Sequence, residues 1–255
     1  MSYSVIGCRR ERIIKHFEKL MLTIITLVIF LAACSQKGEY DFKIFTEEQE
    51  SEYSSVYAEV IEFSEFKDKE FQSEINMQIS EGIKDSIKEF DVVAQESAEL
   101  LPKGVKSVTK ITQNIKRNKG EIISFIEEGY IYLGGAHGNT VWTPRTLDLR
   151  MESPHILSLS ELFIDQRYIE KINNLIDKLV KENPDKYSEL WAEPHIDSNF
   201  QINFYLTEEE LVIFFHPYEL SYYAKGFIEF PIRLNDLSGW IKEEYLKKDN
   251  SAEIY

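Results

Sequence analysis

Phe71, Ile75, Ile79, Ile83, Ile87 and Phe90 recur every three to four residues, with Glu, Gln, Lys and Asp filling the positions between them. That spacing predicts one long helix with a single apolar face, and such a face must be buried against another layer. The segments on either side supply the layer. "YSSVYAEVIEFSEF", residues 53–66, is rich in β-branched and aromatic residues and reads as a strand. Pro102-Lys103-Gly104 breaks the chain after the helix. "VKSVTKITQNIKR" and "EIISFIEEGYIYLGG" then read as an antiparallel pair turned at Asn118-Lys119-Gly120, and "NTVWTPRTLDLR" continues as a strand.

"ILSLSELF" leads into a second amphipathic helix in which Ile169, Ile172, Ile176 and Leu179 share a face, closed by Asn183-Pro184. "FQINFYLT" and "ELVIFFHPYEL" read as a hairpin, "GFIEFPIRL" as a last strand, and Asp236 to about Lys248 as a terminal helix. No internal repeat of fixed period is present. Strands outnumber helices and mostly neighbour strands, so the expected class is α+β, with antiparallel sheets covered by amphipathic helices. Two sequential α+β parts are expected, residues 53–140 and 141–248, joined near the glycine run at 134–138.

The N-terminus has a different logic. Arg9, Arg10, Arg12, Lys15 and Lys19 precede about thirteen apolar or small residues that end Leu31-Ala32-Ala33-Cys34. The run is short for a membrane span, which needs roughly 17 to 25 residues. Its order of basic segment, apolar segment and small residues is that of an export signal. The LAAC ending matches the lipobox of bacterial lipoproteins, so residues 1–33 are expected to be a cleaved signal peptide and Cys34 the lipid attachment site. An uncleaved signal anchor with an incidental cysteine is the other reading. Two acyl chains on Cys34 would hold the protein at a membrane where one would not. Residues 34–52 are polar and acidic and are expected to form a mobile tether. The only other cysteine is Cys8, so the folded region carries no disulfide framework.

The full chain has 29 basic and 44 acidic residues, a net charge of −15. Removing residues 1–33 takes five basic and two acidic side chains, leaving 24 against 42 and a net charge of −18. The basic residues cluster only in the leader, so nucleic acid is not an expected partner. An acidic surface favours a cationic partner, and is also what an ordinary solvated surface looks like.

The histidines are His16, His137, His155, His195 and His216, and no two have the helical spacing of a zinc site, so neither metal nor cofactor is expected. No Gly-x-Ser-x-Gly elbow, phosphate-binding glycine loop or free cysteine nucleophile follows Cys34. Carboxylates are too numerous for any pair to stand out as a glycosidase site. One run does stand out. "GGAHGN" places Gly134, Gly135 and Gly138 around His137, followed by Asn139, a pattern suited to a tight bend where the backbone adopts positive φ or approaches a neighbour closely. His137 there either fixes the bend or forms part of a ligand surface together with Tyr218, Glu219, Tyr222 and Tyr223. The three tyrosines have a second reading, as a closure over the core edge.

"YLGGAHGNT", "LDL", "LSLSELF" and "NFYLTEEELVIFFHPYELSYYAKGFIEFPI" together resemble the extracytoplasmic C-terminal domain of the RsiV family of lysozyme-sensing anti-sigma factors. The preceding segment, a strand, then "EINMQISEGIKDSIKEF", then "GEIISFIEEGYIYLGG", resembles the domain that precedes it there and that also occurs in PdaC-type peptidoglycan deacetylases. The resemblance covers residues 53–245. It implies an envelope module outside the cytoplasm, and in some members a receptor for lysozyme. Only about twenty residues precede the apolar run and no catalytic domain follows the shared module, so neither sigma-factor signalling nor deacetylation is expected. The expected function is a non-enzymatic binding or sensing module for a lysozyme-like cationic protein or for peptidoglycan. A peptidoglycan-modifying enzyme and a purely structural envelope lipoprotein are the competing classes.

Overall fold

In the computed structural model, which describes residues 40–150, 153–200 and 203–246, the isoleucine stripe lies on α1, Lys69–Ser97. Asp68 caps its start, accepting the N–H of Phe71 at 2.9 Å. Ile75, Ile79, Ile83, Ile87, Phe90 and Ala94 are buried, and each fully buried isoleucine contributes roughly 1.5–3 kcal/mol. They pack on a six-stranded sheet in simple sequence order, β1 (Phe42–Glu50), β2 (Ser54–Phe63), β3 (Ser107–Lys119), β4 (Ile122–Tyr132), β5 (Asn139–Asp148) and β6 (His155–Ile156). Because α1 carries the chain back across the sheet, β2 and β3 run parallel, from Ser54↔Ser107 to Ala58↔Ile111. Every other pair in this sheet is antiparallel. The class is α+β, with one parallel pair where only antiparallel pairing was expected.

Two further expectations are corrected. The acidic segment after Cys34 is not a tether throughout, because Phe42–Glu50 pairs along its full length with β2 as the outer strand of the sheet. Phe42 and Ile44 pack against the α1 core. Tyr40 is buried edge-on against Phe66, ring centroids 5.4 Å apart, and exchanges hydrogen bonds with the Asn118 side chain at 3.1 and 2.7 Å. The apolar alternation of Phe42 and Ile44 is two residues long, and the glutamates that follow conceal it. Cys34 and the rest of residues 34–39 lie outside the described residues.

The part boundary expected at residue 140 falls inside the first sheet. β5 pairs with β4 from Ile131↔Asn139 to Ile122↔Asp148, so the run is the loop of a hairpin and the first sheet continues to Ile156. At the other end of β4 the turn is two residues, Gly120 and Glu121, with φ of 65° and 58°. Left-handed conformations at both positions match the strand twist.

The second unit sets α2 (Tyr168–Glu182) over a three-stranded antiparallel sheet, β7 (Phe204–Leu206), β8 (Glu210–Phe215) and β9 (Ile228–Arg233). Ile172 and Ile176 are buried, Ile169 and Leu179 partly so, and Asn183 caps the helix end as expected. The small sheet docks on the face of the large sheet away from α1. Leu206 N–H donates to Ser124 Oγ at 3.0 Å, and Ile126 joins Tyr205, Val212 and Phe214 in one cluster. The terminal helix is shorter than expected. Gly239, at φ 77°, ends a 3-10 turn at Leu234–Leu237, and only α3, Glu243–Leu246, follows, while Lys247 and Lys248 lie outside the described residues. Tyr245 on α3 donates to Asp148 Oδ2 at 3.0 Å, and Arg150 binds the same carboxylate.

Candidate functional site

The 11-residue strand β4 separates the two ends of the large sheet by about 35 Å, at roughly 3.4 Å per residue. The chain enters at the Gly120 end, where Asn118 clamps Tyr40. The glycine loop lies at the opposite end. Gly134 and Gly135 have φ of 96° and 101°, a region that side-chain-bearing residues rarely adopt. A Cβ on Gly134 would also lie 2.2 Å from Leu101 Cδ2. Gly138 is needed for a different reason. A Cβ there would stand 2.4 Å from the ring of Tyr130. Tyr132 steadies the bend by donating its hydroxyl to the Gly135 carbonyl at 3.2 Å.

His137 is exposed, and its ring nitrogen Nδ1 donates to the carbonyl of Gly138 at 2.8 Å. Its ring lies flat on that of Tyr223, with centroids 4.0 Å apart and planes 12° apart. The Tyr223 hydroxyl donates to the same Gly138 carbonyl. The glycine loop of the first unit is thus clamped to the loop between β8 and β9 of the second. Asn139 is not part of the clamp. It opens β5 opposite Ile131 and is exposed.

The β8–β9 loop is itself tightly held. Tyr218 has φ 73° and is 56% exposed, and its N–H donates to the Ser221 carbonyl at 3.1 Å. Glu219 folds back to accept the N–H of His216, whose Nε2 donates to the Trp142 carbonyl at 3.1 Å. Tyr222 donates to Glu189 Oε2 at 2.7 Å, and Lys225 reaches the same oxygen at 3.1 Å. These two contacts hold the Glu189 carboxyl below its ordinary range, and accepting from Tyr222 pushes that phenol upward. Beneath the loop, Trp142 stacks on Phe227 at 3.8 Å. Tyr205 is pushed far above the usual phenol range by burial and by donation to Glu229.

Two site residues were not identified from sequence. Glu189, at φ 67°, anchors Tyr222 and Lys225. Trp191, 57% exposed, is fixed by its N–H to the Leu220 carbonyl at 3.0 Å and by its indole Nε1 to the Glu219 carbonyl at 3.3 Å. The one signal in the sequence was a tryptophan in a polar loop, "SELWAEPH". The structure therefore brings together Gly134, Gly135, His137, Gly138, Tyr218, Glu219, Tyr222 and Tyr223, and adds Glu189 and Trp191. His216 lies at the base of this loop, whereas His155 and His195 are elsewhere. His155 meets Glu161 at 3.2 Å and His195 meets Asp177 at 3.0 Å. Among the described residues no group of three or more His, Cys, Asp or Glu is placed to hold a metal ion, and no helix is long and apolar enough to cross a membrane. What the arrangement offers is a set of exposed aromatic rings and carboxylates on loops whose backbones are already hydrogen-bonded.

Fold and site together define an α+β module of two docked units whose end loops form one surface. Residues 47–140 match the family model described as deacetylase PdaC, and residues 160–235 match a protein family of unknown function, DUF3298. The two matched segments follow one another along the chain, the first similar to the PdaC family and the second to DUF3298. The first match stops as β5 begins, so the large sheet extends past it. A crystal structure of a DUF3298-family protein from Bacteroides fragilis superposes with a TM-score of 0.63 at 15% identity, covering 82% of this chain and 96% of that one. Another, from Pseudomonas aeruginosa, gives 0.56 at 13% identity, covering 83% and 97%. At these identities the likeness is one of fold. No curated protein matches the sequence.

Proposed function

We propose that this chain is an extracytoplasmic binding or sensing module, held at a membrane through lipid on Cys34, whose ligand is a lysozyme-like cationic protein and which acts without catalysis. The observation that carries this reading is the placement of the clamped aromatic and acidic loops at the end of the sheet opposite the point where the chain enters. An anchor before Tyr40 would direct that surface outward. Loops already fixed by Gly138, Ser221, Leu220 and Glu189 lose little conformational freedom on binding, which preserves affinity. A charge of −18 after removal of residues 1–33 would speed encounter with a basic protein and make association sensitive to salt.

A second reading, peptidoglycan as ligand, draws on Trp191 and Tyr222, since exposed flat rings suit stacking on sugars. Calorimetric titration of the full-length chain in detergent with egg-white lysozyme and with N-acetylglucosamine oligomers, each at low and high salt, separates these. Heat of binding to lysozyme that weakens with salt is the expected result. Turnover of the oligomers would instead indicate an enzyme, and silence with both ligands a structural lipoprotein. Replacing Cys34 with Ala is expected to abolish membrane attachment in cell fractionation, and unchanged attachment would remove the lipid anchor from this reading.

A further inference from the structure

Residues 162–164 and 240–242 run side by side in the second unit. Ile164 N–H donates to the Trp240 carbonyl at 3.0 Å and Lys242 N–H to the Leu162 carbonyl at 2.9 Å. Phe163 and Ile241 are the opposed pair at the centre of this bridge, and both are buried. Side chains alternate along paired strands, so Ile164 and Trp240, the next opposed pair, share the outer side. Ile164 is 62% exposed and Trp240 only partly buried. The start of α2 sets two cations over the same indole, Arg167 Cζ at 5.8 Å and Lys171 Nζ at 6.0 Å from the ring centroid. Arg167 is paired with Asp165, Glu170 is the other exposed carboxylate beside them, and Lys171 and Lys242 form no ion pair among the described residues. Trp142 and Trp191 donate their indole N–H to Glu128 and to the Glu219 carbonyl, whereas that of Trp240 donates to no group among the described residues. This cluster hangs from the end of the large sheet where the chain enters. Lys242 leads into α3, four residues and about 6 Å long, whose Tyr245 donates to Asp148. Asp148 pairs with Ile122, next to the turn beside which Asn118 clamps Tyr40.

We infer that Trp240 and Ile164, with Arg167, Lys171 and Lys242 around them, form a seat that rests on the bilayer holding the Cys34 acyl chains, at the level of acidic lipid headgroups. This inference rests on the lipid anchor of the proposed function and is independent of which ligand the far loops take. Cys34 precedes Tyr40 by six residues, and six residues span at most about 20 Å. The entry end is therefore always within reach of the bilayer, and a weak contact there is favoured by its high effective concentration. Tryptophan settles at the boundary of headgroups and acyl chains because its ring is apolar and its N–H polar, and the Trp240 N–H is already turned to no protein group. Arginine and lysine beside it are drawn to acidic headgroups within about a Debye length. A tether alone leaves the module's tilt undetermined. A second contact fixes it, with the glycine loop roughly one strand length, about 35 Å, further out.

The test is quenching of tryptophan emission by brominated acyl chains, with the chain isolated from membranes and reconstituted into phosphatidylglycerol vesicles. The chain has three tryptophans, Trp142, Trp191 and Trp240, and the inference places only Trp240 at the bilayer. Part of the parent's emission should be quenched, and Trp240→Phe should abolish that quenching while the other two tryptophans still emit. Arg167→Glu combined with Lys171→Glu, neither in the core, should melt with the parent and reduce the quenching at least about twofold. If the parent floats with the vesicles and is not quenched, or if Trp240→Phe is quenched as the parent is, the seat is overturned while the anchor stands. If the double variant is quenched as strongly as the parent, the assignment of the basic residues to acidic headgroups is overturned. If the parent does not float with the vesicles, the anchor falls and this inference with it.

Discussion

The two ends of the six-stranded sheet are built by opposite means. At the chain-entry end β3 and β4 are joined by two residues, Gly120 and Glu121, and the surroundings are closed over. Tyr40 is buried there, and the nearby Asp148 carboxylate is satisfied by Arg150 and Tyr245. At the far end β4 and β5 are joined by residues 133–138, and the bend is held by a neighbouring domain through the Gly138 carbonyl. One end consumes its polar groups in holding the chain together, whereas the other uses backbone bonds to hold loops and leaves side chains outward. Disruption of the first should therefore act on stability, and disruption of the second on the shape of the exposed surface.

The largest expected effect is at the closed end. Asp148 is buried, and Asp148→Ala would leave the Arg150 charge without its carboxylate and the Tyr245 hydroxyl without its acceptor. A loss of about 3 kcal/mol in urea unfolding is expected, as for other half-removed buried ion pairs. Burial opposes the Asp148 charge, but the hydrogen bonds from Arg150 outweigh it and hold the carboxyl below its ordinary range. A depressed value means that this stabilisation is complete above the unfolded pKa of about 3.9 and is lost as pH falls through the lower folded value. Asp148→Asn should lack that acid-side decline. A parent whose stability is flat from pH 5 to pH 2 would contradict the assignment.

Next comes Gly135→Val at the open end. Nothing within 4 Å opposes the added side chain, so the cost is backbone strain alone, at φ 101°. About 1–3 kcal/mol is expected, seen as a lowered melting temperature. A melt that overlays the parent would show that the bend adjusts freely, and the contrast between the two ends would lose its basis.

How much of this was legible in the sequence follows the same division. The α1 stripe, the β3–β4 pair, α2 with its Asn183 cap and the β7–β8 hairpin all announce themselves through local periodicity or turn residues, and each forms where expected. β1 was hidden because Phe42 and Ile44 make too short an alternation before Glu47, Glu48 and Glu50, and pairing with β2 decides the matter. The parallel β2–β3 pair depends on where α1 returns the chain, which no short window records. His137 and Tyr223 are 86 positions apart and each was a candidate, but their stacking is set by docking of the two domains. Trp191 and Glu189 were missed because their place in the site depends on hydrogen bonds to residues some thirty positions away.

A smaller effect tests the clamp between the domains. Tyr223→Phe removes the hydroxyl from Gly138 but keeps the ring on His137. The Gly138 carbonyl retains its bond from His137, so nothing is left unsatisfied and a loss of about 0.5–1.5 kcal/mol is expected. Double-mutant analysis with His137→Ala should show coupling between the two, since both act on one carbonyl. Additive losses would mean that the loops are not held as a unit.

The smallest effect on stability is expected from Glu189→Gln, and it is informative for that reason. Glu189 is on the surface and joins Tyr222 to Lys225, contacts that solvent screens and that hold little of the fold. Thermal melts of parent and variant should overlay. The Tyr222 phenol, however, is pushed upward because it donates to a carboxylate, and ionising it beside that charge is unfavourable. A neutral amide removes that opposition. The alkaline absorbance titration of Glu189→Gln should therefore differ from that of the parent by one tyrosine moved to lower pH, and that difference should be absent when Glu189→Gln is compared with the parent in a Tyr222→Phe background. If the titration is unchanged, Tyr222 is not held by Glu189 in solution and the open end is less ordered than the closed one. If the melt also shifts down, Glu189 carries stability, and the division between an end that holds the fold and an end that displays side chains would have to be redrawn around it.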